Sequence, residues 1–158
     1  MTTIAYDGRY LVADGKATKG ETIVSLCEKK ISLRHGRVYA LAGVHALTDA
    51  VVEWHNKGAD PNDPPKCSGG DNGWVLIVID KDGCREYHND VPYPDTVDAP
   101  CAWGSGRGMA RGIMYYGASA LDAVKVCCER DINSGGEIQV IDIAEALGLD
   151  KLLLEAAE

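Results

Sequence analysis

The chain has no apolar run long enough to cross a bilayer; its longest, Trp74 to Ile79, is the length of a strand. Its start shows no charged-then-apolar leader, so neither a secretory nor a membrane destination is expected. Positive charge is scarce. With 16 Lys and Arg against 24 Asp and Glu, the net charge of -8 disfavours nucleic acid or an anionic membrane as partner. The six cysteines contain no C-x-x-C pair, and His35, His45, His55 and His88 show no H-E-x-x-H or similar spacing, so no metal or other cofactor is expected. Internal repeats are absent as well. What is left is an ordinary composition, 46% apolar and 25% charged over 158 residues. It predicts one domain, 1–158, with its own core, reduced thiols and a cytoplasmic location.

Against that plain background the first thirty residues stand out. A threonine follows the initiator methionine, so removal of Met1 would leave Thr2 carrying both a hydroxyl and a free α-amine. A threonine hydroxyl is a weak nucleophile at neutral pH, but an α-amine titrates near ~7.7–8.0 and can accept its proton. A lysine beside the hydroxyl would favour the developing alkoxide and keep the amine neutral, and a carboxylate would hold that lysine charged and oriented. Lys30 and Asp14 are the candidates for these two parts.

Along the chain, Thr2 to Tyr6 and Arg9 to Asp14 read as strands joined at Asp7-Gly8. A two-residue loop there pairs Thr2 with Ala13; a three-residue loop, Tyr6 to Gly8, pairs Thr2 with Val12 and turns Asp14 to the Thr2 face. Gly15 to Gly20 reads as a polar excursion. A strand through Lys30 to Leu33 turns at His35-Gly36 and returns as Val38 to Ala42. Leu47, Ala50, Val51 and Trp54 set a helix over 46–57. Residues 58–73 are too rich in proline and glycine for a regular element. A second hairpin spans Trp74–Asp80 and Cys84–His88, then a short strand Cys101–Trp103 and a helix from Arg107 to Tyr116. The next helix starts at Ser119 with Asp122 as capping partner and runs to Arg130, with Leu121, Val124 and Cys128 inward. A strand over 137–143 and a helix over 144–157 close the chain. Gly104-x-Gly106 is a poor nucleotide signal, because Met109 occupies the third glycine position.

Taken together, these residues resemble the proteasome β-subunit and HslV family of N-terminal-nucleophile (Ntn) threonine peptidases. Thr2-Thr3-Ile4 looks like the mature start, Asp14-Gly15-Lys16-Ala17-Thr18-x-Gly20 like the aspartate-bearing strand end, and Lys29-Lys30-Ile31 like the lysine strand. Leu41-Ala42-Gly43 resembles the oxyanion segment, Gly104-Ser105-Gly106 the serine loop, and Asp131-x-x-Ser134-Gly135-Gly136 the closing aspartate and serine. The compact layout is also similar to short proteasome-like proteins of bacteriophages and prophages. The resemblance implies an α+β fold, a four-layer αββα sandwich with one helical layer reduced because 58–73 leaves no room for a second helix. Sheet exposed under that thin layer, or a partner chain covering it, is expected.

The resemblance also implies roles. Thr2 attacks an amide carbonyl, Lys30 and Asp14 tune it, Gly43 stabilises the oxyanion, and Ser105, Asp131 and Ser134 support the site. Thr18 would bind substrate backbone, while Ala17, Glu28 and Leu41 would line the specificity pocket, Glu28 hinting at basic side chains. Implied partners are a peptide or unfolded-protein substrate, further copies of the chain in a homo-oligomer, and an ATP-dependent unfoldase, in a bacterial or phage-infected host cytoplasm. Singly, each motif has a plain structural reading: Ser105 a helix cap, Asp131 a surface charge, Ser134-Gly135-Gly136 a helix stop, Gly43 a turn. Two other functions remain open, a proteasome-like assembly protein without turnover and an Ntn amidase acting on a small acyl-amine.

Overall fold

The computed structural model describes residues 1–66 and 73–150. Strands β1 (Thr3–Tyr6), β2 (Tyr10–Ala13), β10 (Cys101–Gly104) and β11 (Gln139–Asp142) form one sheet in the order β10-β1-β2-β11. Strands β5 (Ile31–Arg34), β6 (Arg37–Gly43), β7 (Trp74–Asp80), β8 (Gly83–His88) and β9 (Asp95–Thr96) form a second in sequence order. Alternation along the strands builds the layers. Ile4, Leu11 and Ala13 of the first sheet meet Val38, Ala40, Ala42, Ile77 and Ile79 of the second. Ala5, Val12 and Ala102 face the other way, against helices α2 (Arg107–Tyr115) and α3 (Ala120–Arg130). On the far side, Tyr39, Leu41, Leu76 and Val78 receive α1 (Thr48–Asn56). The result is the expected α+β, four-layer αββα sandwich, with one helix on one face and two on the other among the described residues.

The thin layer does not leave its sheet bare. Tyr39, Leu41, Leu76, Val78 and Tyr87 are all buried within the single chain. Large side chains replace the missing helix. Trp54 packs on Trp74 and Tyr87, with ring centroids 5.6 and 5.7 Å apart. The indoles of Trp54 and Trp74 donate to the carbonyls of Asp60 and Pro65, which straps the proline-bearing segment over the sheet. The expectation of exposed sheet is therefore corrected. Residues 67–72 of that loop lie outside the described residues.

Four local expectations are also corrected. Neither loop proposed for the first hairpin forms: Tyr6 pairs with Leu11, so residues 7–10 make the turn, and Thr3, not Thr2, stands opposite Asp14. The cause is the Asp7 carboxylate, which accepts the N–H groups of Arg9 and Tyr10 through one oxygen and that of Ala120 through the other. The polar excursion contains a small hairpin, β3 (Ala17–Lys19) with β4 (Thr22–Ser25). Helix α3 begins as expected, with the Ser119 hydroxyl accepting from Asp122 N–H, but its fully buried face is Ala120, Ala123, Val124 and Cys127, with Leu121 and Cys128 only partly covered. Finally, α4 spans Ile143–Leu147 and is interrupted at Gly148, whose left-handed φ of 67° breaks the helix there, while Leu149 and Asp150 are helical again. Residues 151–157 of the longer helix expected there lie outside the described residues.

Candidate active site

The start of β1 is held at a junction of both sheets. Asp14, at the end of β2, and Lys30, just before β5, form an ion pair at 2.7 Å with both side chains 0% exposed. A buried pair is costly unless every remaining hydrogen-bonding group is met, and here they are. Asp14 Oδ1 accepts from Lys30 Nζ and Thr3 N–H, and Oδ2 from the N–H groups of Lys16 and Gly135. Lys30 Nζ also donates to the carbonyls of Lys16 (2.7 Å) and Met1 (3.2 Å). Burial lowers the Lys30 pKa from its ordinary value despite the opposing pull of Asp14. The ammonium thus reaches the peptide carbonyl directly before Thr2, rather than hydrogen-bonding the Thr2 hydroxyl.

Ser105 clamps the Thr2 backbone. Its Oγ accepts the Thr2 N–H at 3.3 Å and donates to the Thr2 carbonyl at 3.2 Å. It does not cap α2, which has Gly106 at its N-cap and no side-chain capping bond. The plain reading of Ser105 as a helix cap therefore fails. The neighbouring Gly104 has φ of +88°, and a methyl group there would collide with the Thr2 carbonyl, so only glycine allows the strand to pass this close.

Asp131 and Ser134 are close by but hold the next residue. Ser134 Oγ donates to Asp131 Oδ2 (2.6 Å), so the Thr3 hydroxyl donates to Ser134 Oγ (2.5 Å). Gly43 ends β6 with φ of +112°, and a Cβ there would strike the Gly73 carbonyl. Backbone geometry alone therefore demands glycine at 43, whatever its N–H does. Gly43 and Gly104 share the wall of a cleft of about 540 Å³ with Trp103, His88, Arg107 and Arg111. That volume lies within the range that takes a small ligand.

The expected substrate contacts are more scattered. Ala17 and Thr18 lie on the half-buried part of β3, and Glu28 is half-buried in the segment between β4 and β5. Leu41 is buried against α1 and lines a small pocket of about 40 Å³ with Lys30, Ala40, Thr48 and Val52; Ala17 and Glu28 are not on its wall.

Two residues were missed in the sequence. Gln139 of β11 accepts the Lys30 N–H at 2.9 Å and donates to the carbonyl of Glu28 at 2.7 Å, tying one sheet to the other beside the ion pair. His45 lies two residues after Gly43, and its Nε2 is 3.1 Å from Thr2 Oγ1. Its pKa is lowered, first by burial and then by the Lys30 charge. No spacing rule marks either residue, because each reaches the site across the fold. Among the described residues, no group of three or more His, Cys, Asp or Glu is arranged to hold a metal, and no helix is long and apolar enough to cross a membrane.

No protein-family model matches the chain, and no curated protein matches it in sequence. Solved structures do match it in fold. BPH of Thiobacillus denitrificans in complex with epoxomicin superposes with a TM-score of 0.63 at 17% identity, covering 90% of this chain and 98% of that one. A second structure of the same BPH gives 0.62 at 17% identity, over 90% and 97% of the two chains. Eukaryotic HslV from Trypanosoma brucei gives 0.58 at 18% identity, over 89% and 98%. At these identities what is shared is the fold, that of HslV-type and proteasome-type Ntn hydrolases.

Proposed function

We propose that the chain is a threonine-type Ntn hydrolase that cleaves peptide bonds within a homo-oligomer once Met1 is removed. The supporting observation is the Lys30 ammonium, fixed by buried Asp14 and donating to the carbonyl that precedes Thr2. Removing Met1 removes that carbonyl and frees both the α-amine and the face of Thr2 that the lysine addresses. Thr2 Oγ1 then attacks a substrate carbonyl, and the amine, beside Ser105 Oγ, passes the hydroxyl proton to the leaving nitrogen. Lys30 offsets the developing negative charge, with Gly43 N–H as the oxyanion donor. Asp131 and Ser134 act at one remove, by fixing Thr3 and with it the start of β1.

Thr18 binds substrate backbone in this reading, with Ala17, Glu28 and Leu41 near the side chain on the acyl side. The chain is a single domain over 1–158, and its partners are peptide or unfolded protein, further copies of itself and an ATP-dependent unfoldase. The setting is the cytoplasm of a bacterium or phage-infected host. The small pocket beside Lys30 favours one alternative, an amidase acting on a small acyl-amine.

Intact mass and peptide hydrolysis test the proposal together. The native-host protein should be lighter by one methionine and should hydrolyse fluorogenic peptides, with turnover lost in Thr2→Ala. A full-length mass with no turnover, or equal turnover in Thr2→Ala, would contradict it.

A further inference from the structure

Thr2 Oγ1 has one hydrogen-bond partner among the described residues, His45 Nε2. His45 opens the short turn His45–Leu47 between β6 and α1. Its backbone is pinned there, because its carbonyl accepts both the N–H and the hydroxyl of Thr48. The ring is therefore presented to the hydroxyl from a fixed point on the loop that follows Gly43. The other ring nitrogen, Nδ1, is buried and has no partner among the described residues.

The two tautomers leave the same number of groups unmet. With the proton on Nε2, that N–H donates to Thr2 Oγ1, and the hydroxyl proton and the Nδ1 lone pair have no partner among the described residues. With the proton on Nδ1, the hydroxyl donates to Nε2, and Nδ1–H and the Oγ1 lone pairs have none. Only the second puts a lone pair on the nucleophile's proton, and it is the arrangement a base requires.

We infer that His45 is a catalytic base of this site: its Nε2 takes the proton of Thr2 Oγ1 as the hydroxyl attacks an acyl carbon. The inference rests on the reading of Thr2 as nucleophile, and assigns to Nε2, in place of the α-amine, the first acceptance of the hydroxyl proton. In the acylation step the Oγ1–H bond breaks, its proton moves to Nε2, and the Oγ1–carbon bond forms. The bond from that carbon to the leaving nitrogen or oxygen then breaks, and the leaving atom takes the proton from Nε2. Water reverses the sequence on the ester, giving its proton to Nε2 and releasing Oγ1–H.

The charges facing the ring suit this part. Lys30 and the N-terminal amine disfavour protonated imidazole, Glu28 and Asp14 favour it, and burial is the largest influence, so the ring stays neutral to lower pH than an exposed histidine. A neutral ring is what a proton acceptor requires.

A β-lactone supplies the test, since its strained ring ester acylates a hydroxyl and its ring oxygen leaves as an alkoxide that needs a proton. The full chain lacking Met1 is treated with the lactone from about pH 5 to about pH 9, and Thr2 acylation is followed by intact mass. His45→Ala and His45→Gln should both slow acylation by roughly 100-fold, and the acid limb of the wild-type rate should fall below the ordinary imidazole value. Glutamine can still hydrogen-bond Oγ1 but has no basic nitrogen, so wild-type rates in His45→Gln would make His45 a positioning residue and overturn the inference. Unchanged rate and pH profile in His45→Ala would overturn it while leaving the hydrolase reading intact. Absence of Thr2 acylation in the wild type would overturn both.

Discussion

The two halves of the candidate site are built differently. On one side, Asp14, Lys30, Asp131, Ser134 and Thr3 make contacts of 2.5–2.8 Å, in which Asp14 and Lys30 pair and Asp131 accepts from the Ser134 hydroxyl. On the other, Thr2 meets His45 and Ser105 through longer bonds of 3.1–3.3 Å, and one nitrogen of His45 has no partner among the described residues. The closed half resembles a structural core that happens to be polar, since a buried charge network is tolerated only when satisfied. The loose half has what a reacting group needs: partners in place, with bonds free to tighten as charge develops. In the proposed reading, the placement of Thr2 and its reactivity fall largely to different residues, with Lys30 serving both, and the two kinds of residue should fail differently.

The largest effect should come from Lys30→Ala, which leaves the buried Asp14 carboxylate without its counter-ion, held only by backbone N–H groups. Chemical denaturation should show a loss of about 3–5 kcal/mol, and activity should vanish as well. Adding Asp14→Asn should restore part of the stability and none of the activity. Thr2→Ala should do the reverse, with hydrolysis falling at least about 1,000-fold in kcat/KM while stability changes by about 1 kcal/mol or less. If both variants lose stability equally, the distinction between the halves collapses. Ser105→Ala removes two long bonds to the Thr2 backbone and should lower kcat/KM roughly tenfold, near 1.4 kcal/mol, with little change in the denaturation midpoint.

The smallest effect lies outside the site, in the thin helical layer. Burial and then Arg37 lower the His55 pKa from 6.5 to about 4. Between those values the unfolded chain binds the proton and the folded chain does not, so stability falls as pH drops from 6.5 towards 4 and is unaffected by this group above 6.5. His55→Gln should remove a slope on the order of 1 kcal/mol across that window, once solvent screening is allowed for, and leave hydrolysis unchanged. A pH titration of the urea midpoint checks it.

Much of this was legible because it is local or periodic. The apolar run Trp74 to Ile79 announced a central strand, Ser119 and Asp122 announced the start of α3, and the motifs around Asp14, Lys30, Ser105 and Ser134 announced a meeting point. What stayed hidden depends on chain segments far apart in sequence. Asp7 moves the hairpin register by anchoring itself to α3 as well as to its own turn. That register places Thr3 opposite Asp14, and it is Thr3 that Ser134 binds. His45 reads only as one of four histidines without ligand spacing, because nothing in its neighbours says that the Thr2 hydroxyl lies 3.1 Å away. Gln139 is invisible for the same reason: its amide matters only once two sheets are stacked. The thin layer misled in the opposite direction, since counting helices ignored how much area Trp54, Trp74 and Tyr87 cover.

Labelling the native-host protein with an electrophile directed at N-terminal threonine, then locating the adduct by tandem mass spectrometry, bears most directly on Thr2 as the nucleophile. A single adduct on Thr2 of the Met1-free chain, absent from Thr2→Ala, is the predicted result. Label that persists in Thr2→Ala, or a Met1-free chain that takes up none, would contradict it.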